Sequence, residues 1–264
     1  YGAKIGVAGA ALSTLFSRIL SAVMIVVLLM RSDKISMSKS WRVDTNILGK
    51  ILYIGIPNGL ENSIFQIGKL LTTSLIATFG MVAIAANAVT YSIANFQQIP
   101  SSAIGVAMIT VIGQCIGAGE TEQAHYYLKK MLKLAYLCMI VLGIPIILFS
   151  RPLCSIYHLS EATTDMTVIL LIYNCVCCML VHPLSFAQSN ALRAAGDVKF
   201  TMIVAIASMW ICRVGMAYIL GQGLGLGVIG VWIAMTMDWT VRAFLFTHRV
   251  RTGKWLQYKD RLVK

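Results

Sequence analysis

Two ionisable side chains, Glu61 and Lys69, interrupt the otherwise apolar stretch from Gly55 to Leu71. A charge at the centre of a bilayer costs at least about 2.5 kcal/mol, so such residues usually face a helix-bundle interior or a water-filled cavity. Helical spacing puts several further polar residues on one stripe, with Glu61 at its edge: Asn58, Asn62, Gln66, Lys69 and Thr73. We interpret this face as the wall of a polar cavity with Glu61 as its ionisable centre.

A second polar stripe follows along the chain, and its spacing again places its members on one helix face: Asn87, Tyr91, Asn95 and Gln98. Pro100 comes next, and we expect it to interrupt the helix. Two successive amphipathic helices predict a shared cavity, with Phe65 also on its lining. The alternative is that these groups only make hydrogen bonds between helices, which is typical of isolated polar residues in membrane bundles.

A second acid and base lie near the end of the chain, in the segment MTMDWTVRAF. Asp238 and Arg242 are four positions apart with the acid first, which is the favourable order for a helical pair. We predict a structural ion pair, for which Arg213 is a possible competitor.

The remaining reactive residues give no pattern typical of an enzyme. The four histidines, His125, His158, His182 and His248, are scattered singly with no HExxH arrangement, and the seven cysteines show no pairing or metal-ligand spacing. The glycine-rich stretch from Gly113 to Gly119 lacks the GK[ST] ending of a phosphate-binding loop. The sequence therefore predicts no metal site, no cofactor and no catalytic residue.

Composition explains which elements must position these residues. The 264 residues are 58% hydrophobic, against about 45–50% for soluble domains, and their mean hydropathy is +0.78. Because a transmembrane helix needs roughly 20 apolar residues, the apolar runs predict an all-α polytopic membrane protein. Its seven spans are 5–30, 52–79, 86–112, 132–149, 164–190, 200–221 and 227–247.

Lysine and arginine alternate between the two predicted sides of the membrane. Sixteen of them fall in the segments 31–50, 113–133, 191–200 and 248–264, and only Lys4 and Arg151 fall on the opposite side. This bias predicts a cytoplasmic C-terminus in an inner or plasma membrane. We therefore expect the basic residues behind the net charge of +12 to contact anionic lipid headgroups, and we expect no nucleic-acid partner.

Four short motifs, in order and spacing, resemble a known family: GIP from Gly55, AANAV from Ala85, IGQCIGAGETEQA from Ile112 and LRAAGD from Leu192. They resemble the C-terminal half of multidrug and toxin extrusion (MATE) transporters. The resemblance implies twelve helices in two six-helix lobes around a central cavity, and export of cationic amphipathic compounds in exchange for H+ or Na+.

On this resemblance, residues 1–50 are the last helix of the first lobe and the cytoplasmic inter-lobe loop. Residues 51–250 are the second lobe, and residues 251–264 are a basic cytoplasmic tail. Because the chain opens at Tyr1 and alternating access needs two lobes, we expect a fragment whose partner is the missing first lobe of the same protein.

Two acidic positions of the family are not matched. Many members have a glutamate where this chain has Phe65 and an aspartate where it has His182, so Glu61, one turn before Phe65, is the expected substitute. Glu61 with His182 favours a proton as coupling ion, because histidine titrates near neutrality whereas a carboxylate pair suits a metal cation. His182 could equally be a helix-kink residue beside Pro183.

Two other functions stay open from the sequence. A lipid-linked oligosaccharide flippase of the same superfamily would need a strongly cationic cavity, for which only Lys69 and Arg213 are candidates. An integral-membrane enzyme would need a catalytic constellation that the scattered histidines do not supply.

Overall fold

The computed structural model describes residues 6–31 and 45–257. Nine α-helices lie in this part of the chain: α1 Gly6–Met30, α2 Thr45–Ala77, α3 Met81–Gly117, α4 Thr121–Leu148, α5 Ser150–Ser155, α6 Glu161–His182, α7 Gln188–Ala194, α8 Val198–Ser208 and α9 Gly227–Arg251. Three π-helical segments, Pro183–Ala187, Met209–Gly215 and Tyr218–Gly223, continue α6 and α8, and a 3₁₀ turn, Lys254–Leu256, follows α9. Some of the basic residues used above to predict the orientation lie outside the described residues: Lys4, Lys34, Lys39, Arg42, Lys259, Arg261 and Lys264.

The chain divides into two units, residues 1–48 and residues 49–264. In the described part of the first unit, α1 presents an exposed side chain at every position from Ala11 to Met30. The mean hydropathy of that stretch is 2.2. A helix that is apolar all round belongs in lipid or inside a larger bundle.

Six helical stretches in the described residues are long and apolar enough to cross a membrane. They cover six of the seven predicted spans, and the remaining predicted span, 52–79, lies almost wholly within the 33-residue helix α2. That helix is not among the six because polar residues lower its hydropathy. They are Glu61 and the polar face predicted above, which we call the α2 stripe: Asn58, Asn62, Gln66, Lys69 and Thr73. The all-α polytopic prediction is thus confirmed, with one span marked by its polar face.

Two local expectations about loops are wrong. Pro100 does not interrupt its helix, since α3 continues past it to Gly117. Proline removes one backbone hydrogen bond, and packing of the flanking turns can hold a membrane helix together across it. Lys129, Lys130 and Lys133, expected in a loop, lie within α4, which already begins at Thr121.

Helix α3 runs through the core of the second unit and contributes to three buried clusters. The first cluster joins α3 to α2, α6 and α9, and its largest side chains include Trp232 and Trp239. The second joins the other end of α3 to α4, α7 and α9, and includes Phe246 and Trp255. These clusters fix the polar faces of α2, α3 and α9 relative to one another.

The π-helical segments lie next to the polar residues. Pro183 has no backbone N–H, so the chain widens into a π turn where α6 would otherwise lose a hydrogen bond. The second segment, Met209–Gly215, carries the buried Arg213. Such turns rotate side chains away from the regular helical spacing, and they are frequent at functional sites.

Candidate functional site

Two adjoining cavities lie between the polar faces of α2, α3 and α9. The first, the Glu61 cavity, has a volume of about 240 Å³. The second, the Lys69 cavity, has a volume of about 230 Å³. Phe65, Ser102 and Phe186 line both, so the two cavities share part of their wall, with Asn62 in the first and Lys69 in the second.

The Glu61 cavity is built around an ion pair between Glu61 of α2 and Arg193 of α7. Arg193 Nη2 donates a hydrogen bond to Glu61 Oε1, and Arg193 Nη1 donates to Asn190 Oδ1 at 3.2 Å. The two side chains are only 12% and 19% exposed. Glu61 Oε2 and Arg193 Nε are buried and have no hydrogen-bond partner among the described residues, so each charged group keeps one unused position.

Asp238 pairs with two arginines, and both of these arginines also contact the Phe65 ring. Arg242 Nε is 2.8 Å from Asp238 Oδ1, and Arg213 Nη1 is 3.9 Å from Asp238 Oδ2. The two guanidinium carbons are 5.4 Å and 5.3 Å from the centre of the Phe65 ring, which is the range of a cation–π contact. Phe65 therefore stands where two buried cations converge.

Arg242 is held by more than its acid. Its Nε also donates to Ser208 Oγ at 2.8 Å, and its Nη2 donates to the Ala205 carbonyl at 3.1 Å. Because this guanidinium of α9 donates to two groups of α8, it fixes α9 against α8.

The Lys69 cavity presents a different chemistry. Lys69 Nζ lies 5.4 Å from the centre of the Tyr91 ring, and the Tyr91 hydroxyl accepts a hydrogen bond from Arg213 Nη2 at 3.1 Å. In the part of the chain that the structure describes, no carboxylate pairs with Lys69. Glu61 and Lys69, which share one stretch of the sequence, thus line separate cavities.

His182 lines the Lys69 cavity at the point where α6 gives way to the π turn. Its Nδ1 is 3.4 Å from Ser101 Oγ, and its ring stacks on Phe186 with centroids 4.6 Å apart. Trp239 meets the same imidazole edge-on at 5.7 Å. The hydrogen-bond partner of His182 is thus the Ser101 hydroxyl of α3.

The predicted cavity residues divide between the two cavities, and three of them line neither. Asn62 and Phe65 line the Glu61 cavity, and Phe65, Lys69, Tyr91, Asn95 and Gln98 line the Lys69 cavity. Asn58, Gln66 and Asn87 line neither of these two cavities. Asn87 is buried and accepts a hydrogen bond from Trp232 Nε1 at 3.2 Å, which is the helix-to-helix role left open for single amides.

Arg193 is the site residue that sequence reasoning missed. From the sequence, it is only one of the basic residues of the segment 191–200, which the charge bias places on the cytoplasmic side. A lone carboxylate in an apolar helix requires a cation from some other helix, and that requirement was the available signal. Among the described residues, no group of three His, Cys, Asp or Glu side chains could hold a metal ion.

Comparison with known proteins gives a consistent match. The MatE family model matches residues 57–219. The uncharacterized transporter YisQ of Bacillus subtilis (strain 168) is 30% identical over 255 residues, covering 96% of this chain and 56% of that protein. A probable multidrug resistance protein NorM of Thermotoga maritima is 26% identical over 261 residues, covering 96% of this chain and 54% of that protein.

A solved structure shares the fold. It shows the outward-facing conformation of a multidrug resistance MATE family transporter of the MOP superfamily. The TM-score is 0.82 at 23% identity, and the match covers 95% of this chain and 57% of that one. The chain thus spans about half the length of the curated relatives it matches.

Proposed function

Because the chain belongs to the MatE family of membrane transporters, we propose that the complete protein exports cationic amphipathic organic compounds by antiport. The inward cation is H+ or Na+, and export follows alternating access between two lobes. The chain is an integral membrane protein, with six apolar helices in its described part. We propose a transport cycle and no enzymatic reaction.

One observation carries this proposal: among the described residues, Glu61 is the only carboxylate that lines either of the two cavities, and one of its oxygens has no partner there. A carboxylate with an open oxygen can accept a proton or a cation, whereas its Arg193 partner supplies the charge balance when neither is bound. The incoming ion would therefore compete with Arg193 for Glu61. Such competition is a physical basis for coupling, because it changes which helix α2 is tied to.

We propose His182 as the second coupling group. Its ring lines the neighbouring compartment, and Ser101, which its Nδ1 contacts, lines the Glu61 cavity. A histidine and a glutamate that line adjoining cavities suit proton transfer better than sodium coordination. The alternative is that His182 is only a structural residue at the end of α6. In that case, replacing it would change the stability of the protein and leave its ion flux unaltered.

The partners and location are proposals of the same kind. We propose that this chain acts with a first lobe of the same protein, since it covers only 56% and 54% of the two relatives described above. The basic segments 31–50, 113–133, 191–200 and 248–264 support a plasma-membrane location with the C-terminus in the cytoplasm, next to anionic lipids.

The decisive experiment uses the complete transporter in proteoliposomes. Glu61→Gln should reduce counter-ion-driven export at least about tenfold, because the amide keeps the shape and removes the ionisable group. Glu122→Gln, at an exposed glutamate in the first turn of α4, is the matched control and should export normally. Export driven by a sodium gradient alone would identify Na+ as the coupling ion, and export driven by a pH gradient alone would identify H+. Unchanged export and unchanged ion flux in Glu61→Gln would remove Glu61 from the mechanism.

A second candidate function is supported by the charge of the cavities. Four cations line them, Arg193 and Arg242 in the first and Lys69 and Arg213 in the second, which is more than the sequence indicated. A lipid-linked oligosaccharide flippase would use such charge to hold a pyrophosphate. Measuring labelled-lipid flipping against dye efflux in the same vesicles separates the two functions.

A further inference from the structure

Among residues 6–31 and 45–257, two cations and no carboxylate line the Lys69 cavity. Lys69 and Arg213 contribute the positive charge, and Asn95, Gln98 and Asn174 contribute neutral polar groups. The Glu61 cavity, by contrast, has its own acid. The two compartments therefore differ in the sign of the ligand group that they attract.

The cation balance around Asp238 leaves this positive charge uncompensated. Arg213 and Arg242 share Asp238 as their acid, so two arginines meet one carboxylate. Lys69 adds a further positive charge at the Tyr91 ring. Cation–π contacts lower the cost of holding a cation but do not neutralise it. An anion in the cavity would do so.

Two buried donors of the cavity wall have no acceptor. Asn174 is 1% exposed and Trp239 is 4% exposed. Asn174 Nδ2 and Trp239 Nε1 find no hydrogen-bond partner in the described part of the chain. Buried N–H groups are nearly always satisfied in folded proteins. These two open donors add to the shortage of negative charge and of acceptors beside the two cations.

The rest of the wall is aromatic. Five rings, Phe65, Tyr91, Phe186, Trp232 and Trp239, line the cavity together with Met235. An inorganic anion would make no use of these surfaces, whereas an aromatic body would pack against them. The volume of about 230 Å³ is below the usual range of about 300–1,000 Å³ for whole drug-sized ligands, so it suits a small aromatic group.

We propose that the Lys69 cavity binds the carboxylate end of an aromatic organic compound. Lys69 and Arg213 pair with the carboxylate, and the rings hold the apolar body. That the compound is transported rests on the proposed function; that it binds in the Lys69 cavity does not. It extends the cargo from cations to compounds that carry a carboxylate, alone or beside a cationic group.

Binding is tested on the complete protein in detergent, without any ion gradient, by equilibrium dialysis of radiolabelled 2-naphthoate. The neutral 2-naphthamide has the same ring system and serves as the ligand control. We expect naphthoate to bind at least about tenfold more tightly than naphthamide, since a charge-assisted contact is worth that factor or more. Lys69→Gln should remove most of this preference, and Lys69→Arg should retain it.

Lys129→Gln is the protein control, because Lys129 is an exposed lysine on α4 and lines neither cavity. Equal binding of the two naphthalenes, or unchanged naphthoate affinity in Lys69→Gln, would overturn the proposal. So would displacement of naphthoate only by anionic phospholipid and not by small aromatic carboxylates. Intact naphthoate binding with no antiport would count against the proposed function alone, whereas antiport without naphthoate binding would count against this proposal alone.

Discussion

Glu61 of α2 and Arg193 of α7, 132 positions apart in the chain, form an ion pair in which one oxygen and one N–H find no partner among the described residues. A buried pair is held by the cost of exposing either charge alone more than by its own attraction. A pair with one open oxygen and one open N–H is therefore firmly placed and still replaceable by an incoming cation. That combination suits a contact that must break and re-form during a transport cycle.

The first prediction concerns the stability of this pair. Arg193→Gln leaves the Glu61 carboxylate largely buried without its cation, so we expect a loss of about 3 kcal/mol in the free energy of unfolding. Glu61→Gln in the same background should restore part of the loss, because it removes the unpaired charge. Chemical unfolding in mixed micelles measures all four members of the double-mutant cycle. Strictly additive losses would show that the two side chains do not interact.

The second prediction concerns Asp238, which is fully buried between Arg213 and Arg242. Asp238→Asn keeps the shape and leaves two buried cations without an acid, so we expect a loss of at least about 3 kcal/mol. The comparison is Asp165→Asn, which breaks the exposed pair with Arg151 and should cost less than about 1 kcal/mol. Thermal unfolding of both variants in one detergent checks the contrast. Similar losses in the two would contradict the role given to burial.

Sequence reasoning could predict what depends on local periodicity. The α2 stripe, the second polar stripe and the i,i+4 spacing of Asp238 and Arg242 are visible because a helix converts fixed spacing into a common face. Apolar length likewise identified the helices. The GIP and LRAAGD motifs pointed to the family.

Long-range partners could not be predicted in the same way. Nothing in the spacing of residues connects Glu61 to Arg193, because that contact depends on how α2 packs against α7. The position of Lys69 over Tyr91 and the place of Phe65 between two arginines depend on the same packing. The π segments add to the difficulty, since they shift the faces of Arg213 and Phe186 away from the 3.6-residue repeat.

The third prediction concerns the close approach of α9 to the preceding π segment. A Cβ at Gly230 would lie 2.7 Å from the Leu220 carbonyl carbon and 2.8 Å from the Gly221 nitrogen. Backbone atoms cannot move aside as a flexible side chain can, so Gly230→Ala should lose about 1–3 kcal/mol. Gly113→Ala, at a helical glycine with open space around it, should be neutral or gain up to about 1 kcal/mol. Unfolding midpoints of the two variants provide the test, and a neutral Gly230→Ala would refute the tight packing.

The fourth prediction concerns which face of α2 meets water. In a cysteine-free background of the complete transporter, Asn62→Cys and Lys69→Cys should react quickly with a membrane-impermeant thiol reagent, because both positions line the cavities. Leu70→Cys should react slowly, because Leu70 is a 70% exposed apolar residue outside both cavities; if that exposed surface meets lipid, the thiol is shielded from the aqueous reagent and remains protonated. Pre-incubation with 2-naphthoate should protect Asn62→Cys less than a residue of the Lys69 cavity such as Asn95→Cys. Equal reactivity on both faces of α2 would mean that the stripe serves helix packing and that no water-filled pathway runs along it.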